Sequence, residues 1–148
     1  MKSESKPGKD YIGVGGGVLI FNKKKEVFLA QRSKGAKNQA GWWSKPGGTI
    51  EYGEKAIDAM KREIKEEHDI EIRIWGYMPH TDQILKKEGQ HWLAVNYLAD
   101  IKSGEPKIME PHKCDAMGWF SFKKLPKKLT KTTSEPIKNY LAGKYIKL

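Results

Sequence analysis

Apolar positions along the chain alternate in short runs, interrupted once by a stripe of helical period. YIGVGGGVLIF mixes β-branched residues with glycine, the polar turn FNKKKE follows, and VFLAQR resumes the alternation, so the two runs predict a hairpin. SKGAKNQAG reads as a polar loop, and in WWSKPGGTIEYG the residues Pro46, Gly47, Gly48 and Gly53 preclude a long regular element. From Glu54 to His68 the period changes: Ile57, Met60 and Ile64 recur at i, i+3 and i+7, the signature of an amphipathic helix. IEIRIWGYM, HWLAVNYLADI and AMGWFSF then read as strands, with a two-proline loop, SGEPKIMEPHKCD, before the last. SEPIKNYLAGKYIKL predicts a closing helix with Ser134 as N-cap and Pro136 in its first turn. Strands on both sides of a central helix, followed by a terminal helix, imply an α/β fold: a mixed sheet with helices packed on it.

A chain of 148 residues suits one domain, expected over 11–148 behind a flexible, polar tail at 1–10. No apolar run approaches the roughly 20 residues of a membrane span, and MKSESKPGKD lacks the apolar stretch of a signal peptide, so a soluble, cytoplasmic protein is expected. With Cys114 alone, an internal disulfide or a multi-cysteine zinc site is excluded. The formal net charge is +10, nearly all of it lysine, with only Arg32, Arg62 and Arg73 as arginines. A dispersed lysine coat is a solvated surface first; it also concentrates anionic ligands such as polyphosphates.

Against that basic background, REIKEEHD gathers Glu63, Glu66 and Glu67 within five positions. On a helical wheel at about 100° per residue they stand along one edge of the Ile57, Met60, Ile64 stripe, while Lys55, Asp58, Lys61 and Lys65 take the solvent side. Ala56 and Ala59 share the acidic edge and leave it free of bulk. Like charges at i,i+4 cost a helix a few tenths of a kcal/mol. Two arrangements offset that cost: a solvated patch balanced by lysines, or a hard divalent cation such as Mg²⁺ or Mn²⁺, which also binds substrate phosphates. The glycines Gly15 to Gly17 lack the Lys-Ser/Thr of a phosphate loop, and close backbone packing within a strand accounts for them.

GGTIEYGEKAIDAMKREIKEEHDI resembles the Nudix box: Gly48, five residues, Glu54, seven residues, then Arg62-Glu63-Ile64, one residue, Glu66-Glu67, one residue, a glycine and the apolar Ile70. The late glycine is Asp69 here, and aspartate is among the few residues that tolerate the left-handed turn expected there. WWSKPGG resembles the segment ahead of the box, with Lys45 in place of the usual apolar residue. GQHWLAVNYLA and EPHKCDAMGWFSFKKLP are similar to the later strands and closing segment of MutT-like members. The resemblance implies the Nudix α/β/α sandwich with a mixed parallel and antiparallel sheet. It implies metal ligands at Glu63, Glu66, Glu67 and the Gly48 carbonyl, an orienting Arg62 holding Glu54, and Glu66 or Glu67 as the base. Glu110 or Asp115 is the candidate for a further carboxylate from a later loop.

Arg32 and Lys45 are candidates for phosphate contacts. Of Trp42, Trp43, Trp92 and Trp119, one is expected to meet ligand while the others pack; His80 and His91 are candidate pocket contacts, and Cys114 reads as packing. The implied reaction is Mg²⁺-dependent (or Mn²⁺-dependent) hydrolysis of a nucleoside diphosphate linked to X, foremost a nucleoside or deoxynucleoside triphosphate giving monophosphate and pyrophosphate. ADP-ribose and dinucleoside polyphosphates are the alternative substrates, and a non-catalytic nucleotide- or RNA-binding module is the alternative class. The lysine-rich KKLPKKLTK carries no interleaved aromatics, so the expected partner is a small nucleotide rather than a nucleic acid or a membrane; a homodimer is compatible.

Overall fold

The computed structural model describes residues 4–148. Its elements in chain order are β1 (Gly13–Phe21), β2 (Val27–Arg32), β3 (Trp43–Ser44), β4 (Gly47–Thr49), α1 (Ala56–His68), β5 (Glu71–Leu85), β6 (Gln90–Ser103), β7 (Cys114–Phe120), α2 (Lys131–Leu141) and β8 (Ile146–Lys147). All strands join one mixed sheet: β1 runs parallel to β6, and the remaining pairings are antiparallel.

Alternation along β1 sorts the core into two layers. Val18 and Ile20 pack with Ala59, Met60 and Ile64 of α1, whereas Leu19 and Phe21 pack on the other face with Ile137 of α2. The sheet therefore lies between two helices, the α/β/α sandwich that the element order implies. Of the predicted stripe, Met60 and Ile64 are fully buried and Ile57 is half-buried; Ala59, assigned to the acidic edge, is fully buried as well.

Several boundaries differ from the sequence reading; the closing helix stops at Leu141 instead of running to the end of SEPIKNYLAGKYIKL, and Ile146–Lys147 form β8 along β5. β5 continues past Met78 and through Pro79, because bulges between Ile74 and Gly76 and between Met78 and Thr81 take Pro79 out of the ladder. Its carbonyl accepts from Asn96 Nδ2 at 2.9 Å. α2 begins earlier, with Thr130 rather than Ser134 at the N-cap, and Ser134 N already donates to Thr130 O at 2.9 Å. Pro136 consequently lies inside the helix, where its missing N–H leaves the Thr132 carbonyl without an intrahelical donor. Part of the tail expected at 1–10 lies outside the described residues. Within the described part Gly8 N donates to Tyr11 O at 2.7 Å, and His91 N donates to Gly8 O at 2.8 Å. Among the described residues no helix is long and apolar enough to cross a membrane.

Sheet pairing also creates the main cavity. β1 and β2 are in register at Phe21 and Val27, then each takes another partner: β4 lies along β1, and β3 and β7 lie along β2. The chain crosses from one side to the other at Lys45 and Pro46, and Val18 N donates to Pro46 O at 2.9 Å. Outward from that crossing the strands enclose a cavity of about 760 Å³, within the usual range for ligand sites.

Candidate active site

Local chain geometry brings the carboxylates to the cavity. Gly48 of β4 faces α1 so closely that a Cβ there would lie 2.4 Å from the Glu63 carboxyl carbon. A Cβ on neighbouring Gly47 would meet Gly16 O at 2.0 Å. These two positions require glycine because backbone and carboxylate approach there without intervening side chains.

Arg62 organises the acidic residues from behind. Its Nε and Nη2 donate to the two Glu54 oxygens at 2.6 and 3.0 Å, a bidentate pair, and Nη1 donates to Glu63 Oε1 at 3.1 Å. Nη2 also reaches Thr49 O at 3.3 Å, and Nη1 reaches Glu66 Oε2 at 3.4 Å. The bond from Arg62 holds the Glu54 carboxyl below its ordinary range, helped by Glu51 N at 3.1 Å. Glu54 and its neighbours in turn raise the guanidinium's pKa. Charge-assisted bonds from one guanidinium hold these carboxylates in fixed positions relative to one another.

Glu67 is the most perturbed acid. Burial, the charge of Glu63, a hydrogen bond with Glu63 and the charge of Glu110 together push its pKa up to about 8, opposed by Lys113. Glu63, Glu67 and Glu110 line the cavity with Gly48. Glu66 does not line it: its side chain is 56% exposed and touches only the outer edge of Arg62. As they stand, no three acidic, histidine or cysteine side chains among the described residues are close enough to enclose an ion. The donor set still fits a hard divalent cation: carboxylate oxygens of Glu63, Glu67 and Glu110 crowd one partly buried edge, and a cation would relieve the repulsion that raises the Glu67 pKa.

The end of α1 fastens the loop that carries Glu110. Asp69 is the C-cap at φ 55 and ψ 38, in the left-handed region expected for it, and its carboxylate pairs with Lys65 at 2.9 Å. The carbonyls of Glu67 and His68 accept from Met109 N at 3.0 Å and Lys107 N at 2.9 Å, so helix-end acceptors are satisfied by the incoming loop. His68, buried and edge-on to Phe28, bonds Lys107 O through Nδ1 at 2.9 Å; burial lowers its pKa and favours the neutral ring. Sequence reasoning missed this clamp, for which the only signal was a histidine at the variable position of the box.

The remaining candidates divide. Arg32 lines the cavity, but its Nε and Nη2 are engaged by Asn38 O at 3.1 Å and Asn38 Oδ1 at 2.9 Å, bracing the 33–41 loop. Asp115 accepts from Lys34 N at 3.0 Å, apart from the carboxylates. Lys45 is buried, its backbone N donating to Thr133 Oγ1 at 2.9 Å and its Nζ to Thr132 O. Trp92 lines the cavity, whereas Trp43 packs on Phe120 and Trp119 on Phe28. His80 pairs with Asp82 on the exposed part of β5. Cys114 lies at the cavity wall with its thiol on Ala116 O, its pKa raised by burial.

Known proteins resemble this chain in sequence and in fold. Residues 12–140 match the NUDIX domain. An RNA pyrophosphohydrolase of Azorhizobium caulinodans is 28% identical over 124 residues, covering 70% of this chain and 73% of its own. The 8-oxo-dGDP phosphatase NUDT18 of Danio rerio is 32% identical over 91 residues, which cover 62% of this chain and only 26% of that protein. A crystal structure of a MutT NUDIX hydrolase from Burkholderia pseudomallei superposes with a TM-score of 0.80 at 36% identity, covering 86% of this chain and 96% of that one. The chain is therefore a MutT-like member of the Nudix hydrolase family.

Proposed function

We propose that this protein hydrolyses the phosphoric anhydride of a nucleoside diphosphate linked to X, with Mg²⁺ or Mn²⁺, and that its substrates are nucleoside or deoxynucleoside triphosphates, released as monophosphate and pyrophosphate. The observation that carries this reading is that Glu63, Glu67 and Glu110 all line a cavity large enough for a nucleotide. Glu63, Glu66, Glu67 and the Gly48 carbonyl would hold the metal, Glu66 after its exposed side chain turns inward. When bound, the metal offsets phosphate charge and makes water more acidic.

The chain's own residues do the rest. Arg62 fixes Glu63 through Nη1 and is itself fixed by Glu54, so the carboxylates need not reorganise during the reaction. Glu66 or Glu67 takes the proton of the attacking water; the new P–O bond forms as the anhydride P–O bond breaks, and pyrophosphate leaves. Relatives named for 8-oxo-dGDP and for RNA pyrophosphate share a nucleoside bearing a phosphoanhydride with this substrate class. The +10 charge supports a second reading, in which the nucleoside is the 5′-terminal one of a triphosphorylated RNA.

Product analysis tests the proposal. Purified protein is given nucleoside triphosphates, ADP-ribose, a dinucleoside polyphosphate and a 5′-triphosphorylated RNA, each with Mg²⁺ and with EDTA. Pyrophosphate from the free triphosphates, abolished by chelation, is the expected result; products only from ADP-ribose, the dinucleoside or the RNA would replace the substrate assignment. Folded protein silent on all of them would favour a binding module.

A further inference from the structure

Lys45 lines the same cavity as the carboxylates but from the other face of the sheet. A Cβ on Gly16 would point at Met60 Sδ of α1, while one on Gly17 would meet the Lys45 side chain, with Cε at 2.6 Å. Successive residues of β1 face opposite sides, so Lys45 lies across the sheet from Glu63, on the α2 side. Its side chain lines the cavity although the residue is only 8% exposed.

Its surroundings suit a flat ring. Gly15 and Ala94 are registered neighbours on this face, giving a floor without side-chain bulk between Lys45 and Trp92. Trp92 is backed by glycine: a Cβ on Gly8 or Gly13 would lie 2.2 or 2.5 Å from its ring. The Lys45 ammonium has three donors and a single acceptor here, Thr132 O. Asn96, in register with Gly17 and fully buried, commits Nδ2 to Pro79 O and Thr81 Oγ1 but leaves Oδ1 without a partner among the described residues. Asn96 lies beneath the cavity wall rather than on it, whereas the Lys45 ammonium lines the cavity with two hydrogens that have no acceptor among the described residues, and buried polar groups of this kind ordinarily find partners.

We propose that Lys45 is a specificity-determining residue: it donates to a carbonyl oxygen of the bound base, so that keto bases (guanine, uracil, thymine) are favoured over adenine and cytosine, whose corresponding groups are amino donors. This rests on the nucleotide reading above. Lysine suits the task because a protonated amine presents donors only, and an exocyclic amino group facing it leaves both unpaired.

The test is calorimetric titration of GMP, UMP, AMP and CMP into wild-type protein and Lys45→Met, in EDTA at pH 6.5. Burial lowers the amine's pKa to about 7, so it is chiefly protonated at that pH. Wild type should bind GMP and UMP at least about tenfold more tightly than AMP and CMP, as a hydrogen bond from a charged donor provides. In Lys45→Met the ratio should fall to near one. Equal or absent binding of all four by wild type overturns the proposal whether or not the variant folds, and so does a keto preference that survives in a folded Lys45→Met. Keto-selective binding without hydrolysis of any triphosphate would sink the proposed function and leave this inference standing; hydrolysis without base preference would do the reverse.

Discussion

Lys45 Nζ donates to the carbonyl of Thr132, the acceptor that Pro136, four residues later in α2, has no N–H to serve. A lysine before the Pro-Gly-Gly and a proline inside the closing helix thus supply each other's missing partner across the fold. Removing the amine leaves a helix carbonyl unsatisfied, which costs about 1–3 kcal/mol when the group is buried. Pro136→Ala supplies an N–H to the same carbonyl. The destabilisation caused by Lys45→Met should therefore shrink by about 1 kcal/mol in the Pro136→Ala background, read from urea denaturation of the four proteins. Additive effects would separate the two residues.

The buried amine also gives stability a pH dependence. Burial lowers the Lys45 pKa to about 7, with Glu135 opposing the shift. Between that value and the ordinary lysine value the unfolded chain holds the proton and the folded chain does not, so stability rises with pH across this window. The slope has an upper limit of about 1.4 kcal/mol per pH unit. Urea midpoints of wild type should increase from pH 7 to 9.5, relative to Lys45→Met, whose curve lacks this rise. Parallel curves would mean that the amine stays protonated in the fold.

Arg62→Lys keeps the charge but not the fork. A lysine cannot make the bidentate pair with Glu54 while holding Glu63 and the Thr49 carbonyl. Turnover should fall about 10–100-fold, as when a group that orients metal ligands is lost, with little change in thermal midpoint because the cluster is partly exposed. Turnover within twofold of wild type would contradict the orienting role.

The box was legible because its chemistry and its helical period coincide: apolar Met60 and Ile64 fix which edge Glu63 and Glu67 occupy, and Asp69 takes the left-handed turn that its short polar side chain tolerates. Less local relationships were not. Nothing near Lys45 in sequence reveals that α2 covers it, because Thr132 is 87 residues away. Pro136 resembles a first-turn proline until its unserved carbonyl is found to have a donor from another element. Pro79 reads as the end of a strand unless the bulge that excuses it is known. Glu66 matches the box by position, yet its side chain is 56% exposed, and spacing does not encode which way it turns.

If Glu67 belongs to a metal-dependent hydrolytic centre, Glu67→Gln should abolish turnover without unfolding the chain. The substitution preserves shape, removes a carboxylate that would ionise on a cation, and should leave the thermal midpoint equal or higher in EDTA, since ionised Glu67 is opposed by burial, Glu63 and Glu110. Pyrophosphate release from nucleoside triphosphates would be measured for both proteins with Mg²⁺ and with EDTA, alongside the rise in thermal midpoint on adding Mg²⁺. Wild type should release pyrophosphate only with Mg²⁺, and the variant should lose at least about 100-fold, comparable to removal of one stabilising group from other enzyme sites, with a smaller Mg²⁺-induced rise. Near-wild-type release by folded Glu67→Gln, or release that persists in EDTA, would contradict this role of Glu67.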